Sequence, residues 1–503
     1  MTITRRQTLV GISSIGALAG AGFYFGSHRL DALAKVDHIN PLKIPPLLNG
    51  KIDNGRKIFD LSAQHGKSEF FENRYTPTIG LNGSFLGPTI RCKAGDQVTY
   101  NVRNNLETST TLHWHGFHVP SKHDGGPHQV IKPDDIWSPF FEVKQKASLI
   151  WYHSHLIGLT GQQVNQGLAG LILVNDDESA VLGLPSDYGI DDVPLVIQDR
   201  RFNEDGSFAY LTSMHDRMMG FKGDTILVNG TARAHLTVRR QLTRLRILNG
   251  SNSRIYNFGL ENDQSFTQIA SDGSLLARPV KRRRLRLAPG ERAEIIVDMG
   301  TSRRLLLMSY PDIIRGSTGM MGRMMRGMAG NNETFSVLEL RADRLEKTNT
   351  SIPKQLIKVP SWQASQARRT RSFDLEMGMM GGRGGMGMMG EQMTINGKSM
   401  DMERIDERVK LGSIEIWTIR NSTPVSHPFH IHDIQFRILD RDGKLPAPHE
   451  AGLKDTVLVD PGENVRVIAE FNDFADSNIP YMYHCHILEH EDAGMMGQFV
   501  VTA

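Results

Sequence analysis

The chain has 503 residues, 39% of them hydrophobic and 22% charged, values that exclude wholesale disorder and a multispanning membrane protein and predict about two to four domains. The formal charge of +3 gives no reason to expect a nucleic-acid partner. Only two cysteines, Cys92 and Cys485, are present, so no disulfide scaffold holds the fold together.

The first residues stand apart from the rest. Thr4-Arg5-Arg6-Gln7 leads into an apolar stretch over residues 9–25, and Ala32-Leu33-Ala34 offers a small-residue cleavage site. This is the pattern of a twin-arginine export signal. The apolar run is shorter than the roughly 20 residues that span a bilayer, which predicts cleavage, use of the twin-arginine export machinery and a periplasmic location. Residues 1–34 are therefore set aside from the fold.

Beyond the signal, one unit occurs three times. Leu81-Asn82-Gly83, Val228-Asn229-Gly230 and Ile395-Asn396-Gly397 read as turns, each followed by an alternating segment ending in Asn, at 97–105, 242–249 and 413–421. Such alternation is the period of a half-buried strand. Ala288-Pro289-Gly290-Glu291 and Asp460-Pro461-Gly462-Glu463 precede further alternating segments. Many short strands punctuated by Gly, Pro and Asn predict an all-β chain of three tandem Greek-key β-sandwich domains. They are placed at 45–180, 181–355 and 356–503, with 346–371 as the linker into the third.

Ten of the nineteen histidines fall in four short motifs: His113-Trp114-His115-Gly116, His153-Ser154-His155, His427-Pro428-Phe429-His430-Ile431-His432, and His484-Cys485-His486 followed by His490. They sit at matching places in the first and third units, and the middle unit has none. Ligands split between two domains require those domains to meet, with a metal cluster in the seam and the middle domain as spacer. Alternate side chains of a strand share a face, so each His-X-His presents two imidazoles to one side. The same rule sends Cys485 to the opposite face, one residue away through the backbone. Two His, one Cys and a weak axial Met define a blue-copper electron-transfer centre, here His427, Cys485, His490 and Met495. Closed zinc sites are sets of four Cys or His and would leave eight histidines unexplained.

The four motifs H-X-H-G, H-X-H, H-X-X-H-X-H and H-C-H-X3-H-X4-M together resemble those of multicopper oxidases, over essentially the whole mature chain. The resemblance is nearest to bacterial copper-efflux cuprous oxidases, through His-Pro-Phe-His-Ile-His, the tail Glu489-His490-Glu491-Asp492-Ala493-Gly494-Met495-Met496 and the export signal. It implies cupredoxin-like sandwiches and four coppers. His427, Cys485, His490 and Met495 would hold type 1 copper, and His113 and His430 type 2. His115, His153 and His486 would hold one type 3 copper, and His155, His432 and His484 the other. It further implies Asp124 and Glu491 as proton donors, the competing reading being turn carboxylates. The partners it implies are dioxygen and a one-electron reductant, Cu(I) or a phenol, for a chain expected to act as a monomer.

Methionine is concentrated at 320–328 and 377–402, which hold fourteen of the twenty-three without the aliphatic periodicity of a core. Thioether sulfur is a soft ligand suited to Cu(I), so Met377, Met379, Met380, Met386, Met388 and Met389 are candidates for a substrate copper site. One departure stands out. Cuprous-oxidase relatives carry an acidic residue and a methionine just before the first blue-copper histidine, where this chain has Thr423 and Val425. Asp374, Glu376 or Met377 are the residues placed to compensate. The leading expectation is therefore oxidation of Cu(I) in copper tolerance. The alternatives are laccase-like oxidation of phenols, a copper-free scaffold, and copper buffering by the methionines. Cys92 reads as a buried, unreactive thiol.

Overall fold

The structure, a computed structural model, describes residues 37–312, 332–346, 351–379 and 391–503. Its strands form six sheets, two to a domain, and the same pairing scheme recurs three times. Arg56–Phe71 runs parallel to Gln97–Asn104, Asp192–Arg200 to Leu242–Asn249, and Arg369–Met379 to Ser413–Asn421. In the facing sheets Thr89–Lys93 runs parallel to Ala169–Asn175, Ala234–Thr237 to Phe335–Arg341, and Glu407–Lys410 to Met496–Thr502. Each domain is thus a Greek-key sandwich closed on its own apolar core.

The repeated asparagines explain why the unit could be read from sequence. Asn82, Asn229 and Asn396 all adopt a left-handed backbone, with φ of 56°, 50° and 54°, a conformation Asn tolerates better than most residues. Each side chain then bridges the long neighbouring strand: Asn82 accepts from Ser62 N and donates to Asp60 O, Asn229 accepts from Val196 N and donates to Pro194 O, and Asn396 accepts from Asp374 N and donates to Ser372 O. The strand-ending asparagines repeat as well. Asn104, Asn249 and Asn421 are buried, and each donates to one carbonyl of the loop just beyond it (Thr108, Arg254, Val425) and to one of a more distant segment (Ile131, Leu287, Val459). In the first unit the equivalent residue is Asn104; Asn105, where the alternation ends in sequence, is exposed and donates to Ser62.

The domains meet through different surfaces. The first and second share apolar contacts of Leu149, Trp151, Leu171 and Leu173 with Val196 and Leu248. The stretch after residue 350 packs Leu356 and Ile357 onto Leu275, Leu276 and Ile296 of the middle domain. The first and third domains meet instead along a seam lined by imidazoles.

Candidate metal centre

Four strands carry the seam. His113–His115 pairs antiparallel with Ser148–His153, setting His113 opposite His153, and His427–Ile431 pairs with Asp476–Cys485, setting His430 opposite His484. Between the two imidazoles of the first motif Trp114 turns the other way, into the first core against Tyr100. The pleat therefore does what the motif requires. His113, His115, His153, His155, His430, His432, His484 and His486 are all buried and converge from two domains. His153 Nε2 lies 3.4 Å from His115 Nδ1, and His484 Nε2 lies 3.2 Å from Nε2 of both His155 and His432. The rings of His113 and His430 are 5.8 Å apart.

Cys485 faces away from the seam into the third core. Its Sγ is 3.2 Å from His427 Nδ1 and 3.8 Å from His490 Nδ1, and the two Nδ1 atoms are 3.4 Å apart. The far nitrogens are occupied: His427 Nε2 donates to Thr423 Oγ1 at 2.7 Å, and His490 Nε2 to Met218 O at 2.9 Å. Ile487 N donates to the sulfur at 3.4 Å. Met495 is fully buried in the same core, and its carbonyl accepts from Cys485 N.

Comparison with known proteins decides the family. Residues 62–179, 189–311 and 376–503 each match a multicopper oxidase family model. The multicopper oxidase mco of Staphylococcus aureus is 37% identical over 92% of this chain and 93% of its own. The chain belongs to the multicopper oxidase family. The laccase-like multicopper oxidase CueO of Ochrobactrum sp. has the same fold, with a TM-score of 0.82 and 37% identity over 92% of this chain and all of that one. The cell division protein FtsP of Salmonella typhimurium is also similar, 34% identical over 100% of this chain and 99% of its own.

The donor set fits the copper this multicopper oxidase family carries. Burial is the main influence on His115, His153, His155, His430, His432 and His486 and drives their pKa values down, to about 3 for His155 and His486. They are held as neutral imidazoles, the form that coordinates. His113 Nε2, His430 Nε2 and both nitrogens of His486 are buried with no hydrogen-bond partner, which in a packed interior marks a missing ligand. Four of the seam rings are tethered at their outer edges. Asp124 takes His432 Nδ1 on one carboxylate oxygen at 2.7 Å and His113 Nδ1 on its carbonyl at 3.0 Å. Glu491 stands 3.2 Å from Nδ1 of both His155 and His484.

Around the oxidase's sulfur site, Thr423 is buried and serves as acceptor for His427. Asp374 and Glu376 do not reach that ring: Asp374 pairs with Arg420, and Glu376 accepts from Gly397 N. Met377 packs against the core that holds Cys485 and Met495, and Met379 ends the strand Arg369–Met379. Met380, Met386, Met388, Met389 and the 320–328 run lie outside the described residues. Cys92 is buried in the first core, and burial pushes its thiol up to about 12. Four residues around the ligands have no signal in the sequence: Met218, Asp455 and Thr456, which touch ligand rings, and Arg292, which holds Asp455. The middle domain supplies two of them, so it does more than separate the outer two.

Proposed function

We propose that the enzyme is a periplasmic cuprous oxidase, exported through the twin-arginine route and serving copper tolerance as a monomer. Four Cu(I) ions, one dioxygen and four protons give four Cu(II) ions and two waters. Four resident coppers are assigned: type 1 at His427, Cys485, His490 and Met495; type 2 at His113 and His430; and the type 3 pair at His115, His153 and His486 and at His155, His432 and His484. Bound copper supplies the single-electron transfers and the reduction of dioxygen. The chain's residues orient the rings, exclude water from the seam and carry protons, for which Asp124 and Glu491 are the proposed donors because each already touches two of the ligands.

The observation that carries the choice of reductant is the closure of the sulfur site. His427 and His490 are completely buried, one ring edge covered by the Thr423 hydroxyl and the other by the Met218 carbonyl. A phenol ring has no edge-on contact there. A small soft cation can instead be delivered by thioethers, and the strand carrying Met377 and Met379 leaves the wall of this same core.

A laccase-like role is the second reading, favoured by Thr423 and Val425 where cuprous-oxidase relatives carry acid and methionine, and by the Ochrobactrum relative, which acts on lignin model compounds. The FtsP likeness raises a scaffold role, against which stands the full set of ten histidines, Cys485 and Met495. The test is oxygen uptake with Cu(I) and with a phenol, before and after excision of residues 380–390. Loss of Cu(I) turnover with phenol turnover retained supports the proposal; unchanged Cu(I) turnover overturns it.

A further inference from the structure

Arg292 lies on the strand Arg292–Asp298 of the middle domain, the one domain without a histidine ligand, and its side chain is completely shielded from solvent. A guanidinium has five N–H donors, and here every one has an acceptor. Nε donates to Leu149 O of the first domain at 2.9 Å. Nη1 donates to Gly290 O at 3.1 Å and Asp455 Oδ1 at 2.7 Å, and Nη2 to Asp272 O at 3.1 Å and Asp455 Oδ2 at 2.6 Å. One side chain thereby ties three domains, and its strongest link is a bidentate pair with a carboxylate of the third.

That carboxylate faces the seam. Asp455 Oδ1 is 3.0 Å from His115 Nε2. The other nitrogen of the same ring, Nδ1, is the one that looks toward His153 Nε2 at 3.4 Å. An ionised carboxylate accepting at Nε2 keeps the proton there and leaves the lone pair on Nδ1, and such outer partners set the tautomer and orientation of metal-binding histidines. Without Arg292 the carboxylate would be a buried, uncompensated charge, its orientation held, His115 aside, only by the Thr456 hydroxyl at 2.9 Å. The backbone of the His-X-His-Gly motif is packed directly on this pair. A Cβ at Gly116, whose φ is +95°, would stand 2.7 Å from Asp455 Oδ2 and 2.8 Å from Arg292 Nη2.

We infer that Arg292 is a positioning residue for the copper cluster: through Asp455 it determines which nitrogen of His115 is presented to metal, so that the ligand-free middle domain governs copper occupancy in the seam. This rests on the seam assignment above and not on the identity of the reductant. An enzyme that loads copper but does not oxidise Cu(I) would refute the proposed reductant and leave this comparison intact.

The test loads wild type, Arg292→Gln and the double variant Arg292→Gln/Asp455→Asn with copper. It counts the metal and reads the type 1 and seam coppers separately by absorption and electron paramagnetic resonance. In Arg292→Gln the blue type 1 signal should stay at full strength while seam affinity falls about 10- to 100-fold and the type 2 spectrum changes. The double variant should recover seam copper, because the amide oxygen still accepts from His115 Nε2 with no charge left stranded. If Arg292→Gln does not fold, the double variant is compared with Arg292→Leu/Asp455→Leu, which removes the acceptor at 455 and leaves His115 Nε2 only the Thr456 hydroxyl at 3.2 Å; seam copper should be kept in the first and reduced in the second. Unchanged seam occupancy in Arg292→Gln, equal loss of type 1 and seam copper, or equal seam copper in the two double variants would each overturn the inference.

Discussion

Gly290 of the middle domain lies so close to His486 of the third that a Cβ on it would stand 3.0 Å from the imidazole Cδ2 and 3.1 Å from Nε2. Its φ is +80°, a backbone that costs a side-chain-bearing residue roughly 1–2 kcal/mol. Gly290→Ala should therefore lower apoprotein stability by about that amount and displace one seam ring. Denaturant melts check the first effect. The second should appear as altered type 3 absorption beside an unchanged blue band.

Cys485→Ser removes the only thiolate among the ligands. A hydroxyl stays protonated and does not supply the soft donor of a blue site, so colour and turnover with every reductant should vanish, while the copper bound by the eight seam histidines remains. Persistent blue colour would refute the assignment of the sulfur.

Asp124 and Glu491 each contact two ligand rings from the side away from the cluster interior. Positioned acids contribute about 10²- to 10⁴-fold to proton-coupled steps, so Glu491→Gln and Asp124→Asn should slow steady-state oxygen consumption by at least the lower figure. Bleaching of the blue band by reductant without oxygen should keep its wild-type rate. A slowed anaerobic bleach would place the defect at the sulfur site instead.

Thr423→Val would leave His427 Nε2–H buried without an acceptor, at a cost of about 1–3 kcal/mol. The expected signature is a shifted blue band and a changed type 1 potential with normal seam spectra. Thr423→Asp should restore a charged acceptor beside the ring and raise Cu(I) turnover relative to phenol turnover, measured as a ratio on one preparation.

The ligands were legible because pleating makes a spacing of two into a shared face: His113 and His115, or His484 and His486, declare their geometry locally. The threefold unit was legible through Asn82, Asn229 and Asn396, whose left-handed backbone and side-chain bridge few other residues can supply. Of the residues that hold the ligands, Asp124 and Glu491 lay near the motifs and were legible, whereas Arg292, Asp455 and Met218 were not. Arg292 meets Asp455 across 163 positions of chain, and Met218 meets His490 across 272. Met218 acts through a backbone carbonyl that every residue type possesses. Such contacts come from how the domains dock, and no local period announces them.

The segment that opens the described chain is paired with the middle domain, Asn40 with Ala234 and Pro41 with His235 in parallel register, and His38 Nδ1 reaches Ala234 O. A ribosome must therefore deliver residue 234 before residue 40 has its neighbour. The first sandwich can close during synthesis while the strand ahead of it waits, unpaired, for a domain translated much later. Completion of this enzyme's beginning is in that sense an event of its middle, and a truncated product ending before residue 234 would leave a loose, pairing-competent edge at its start.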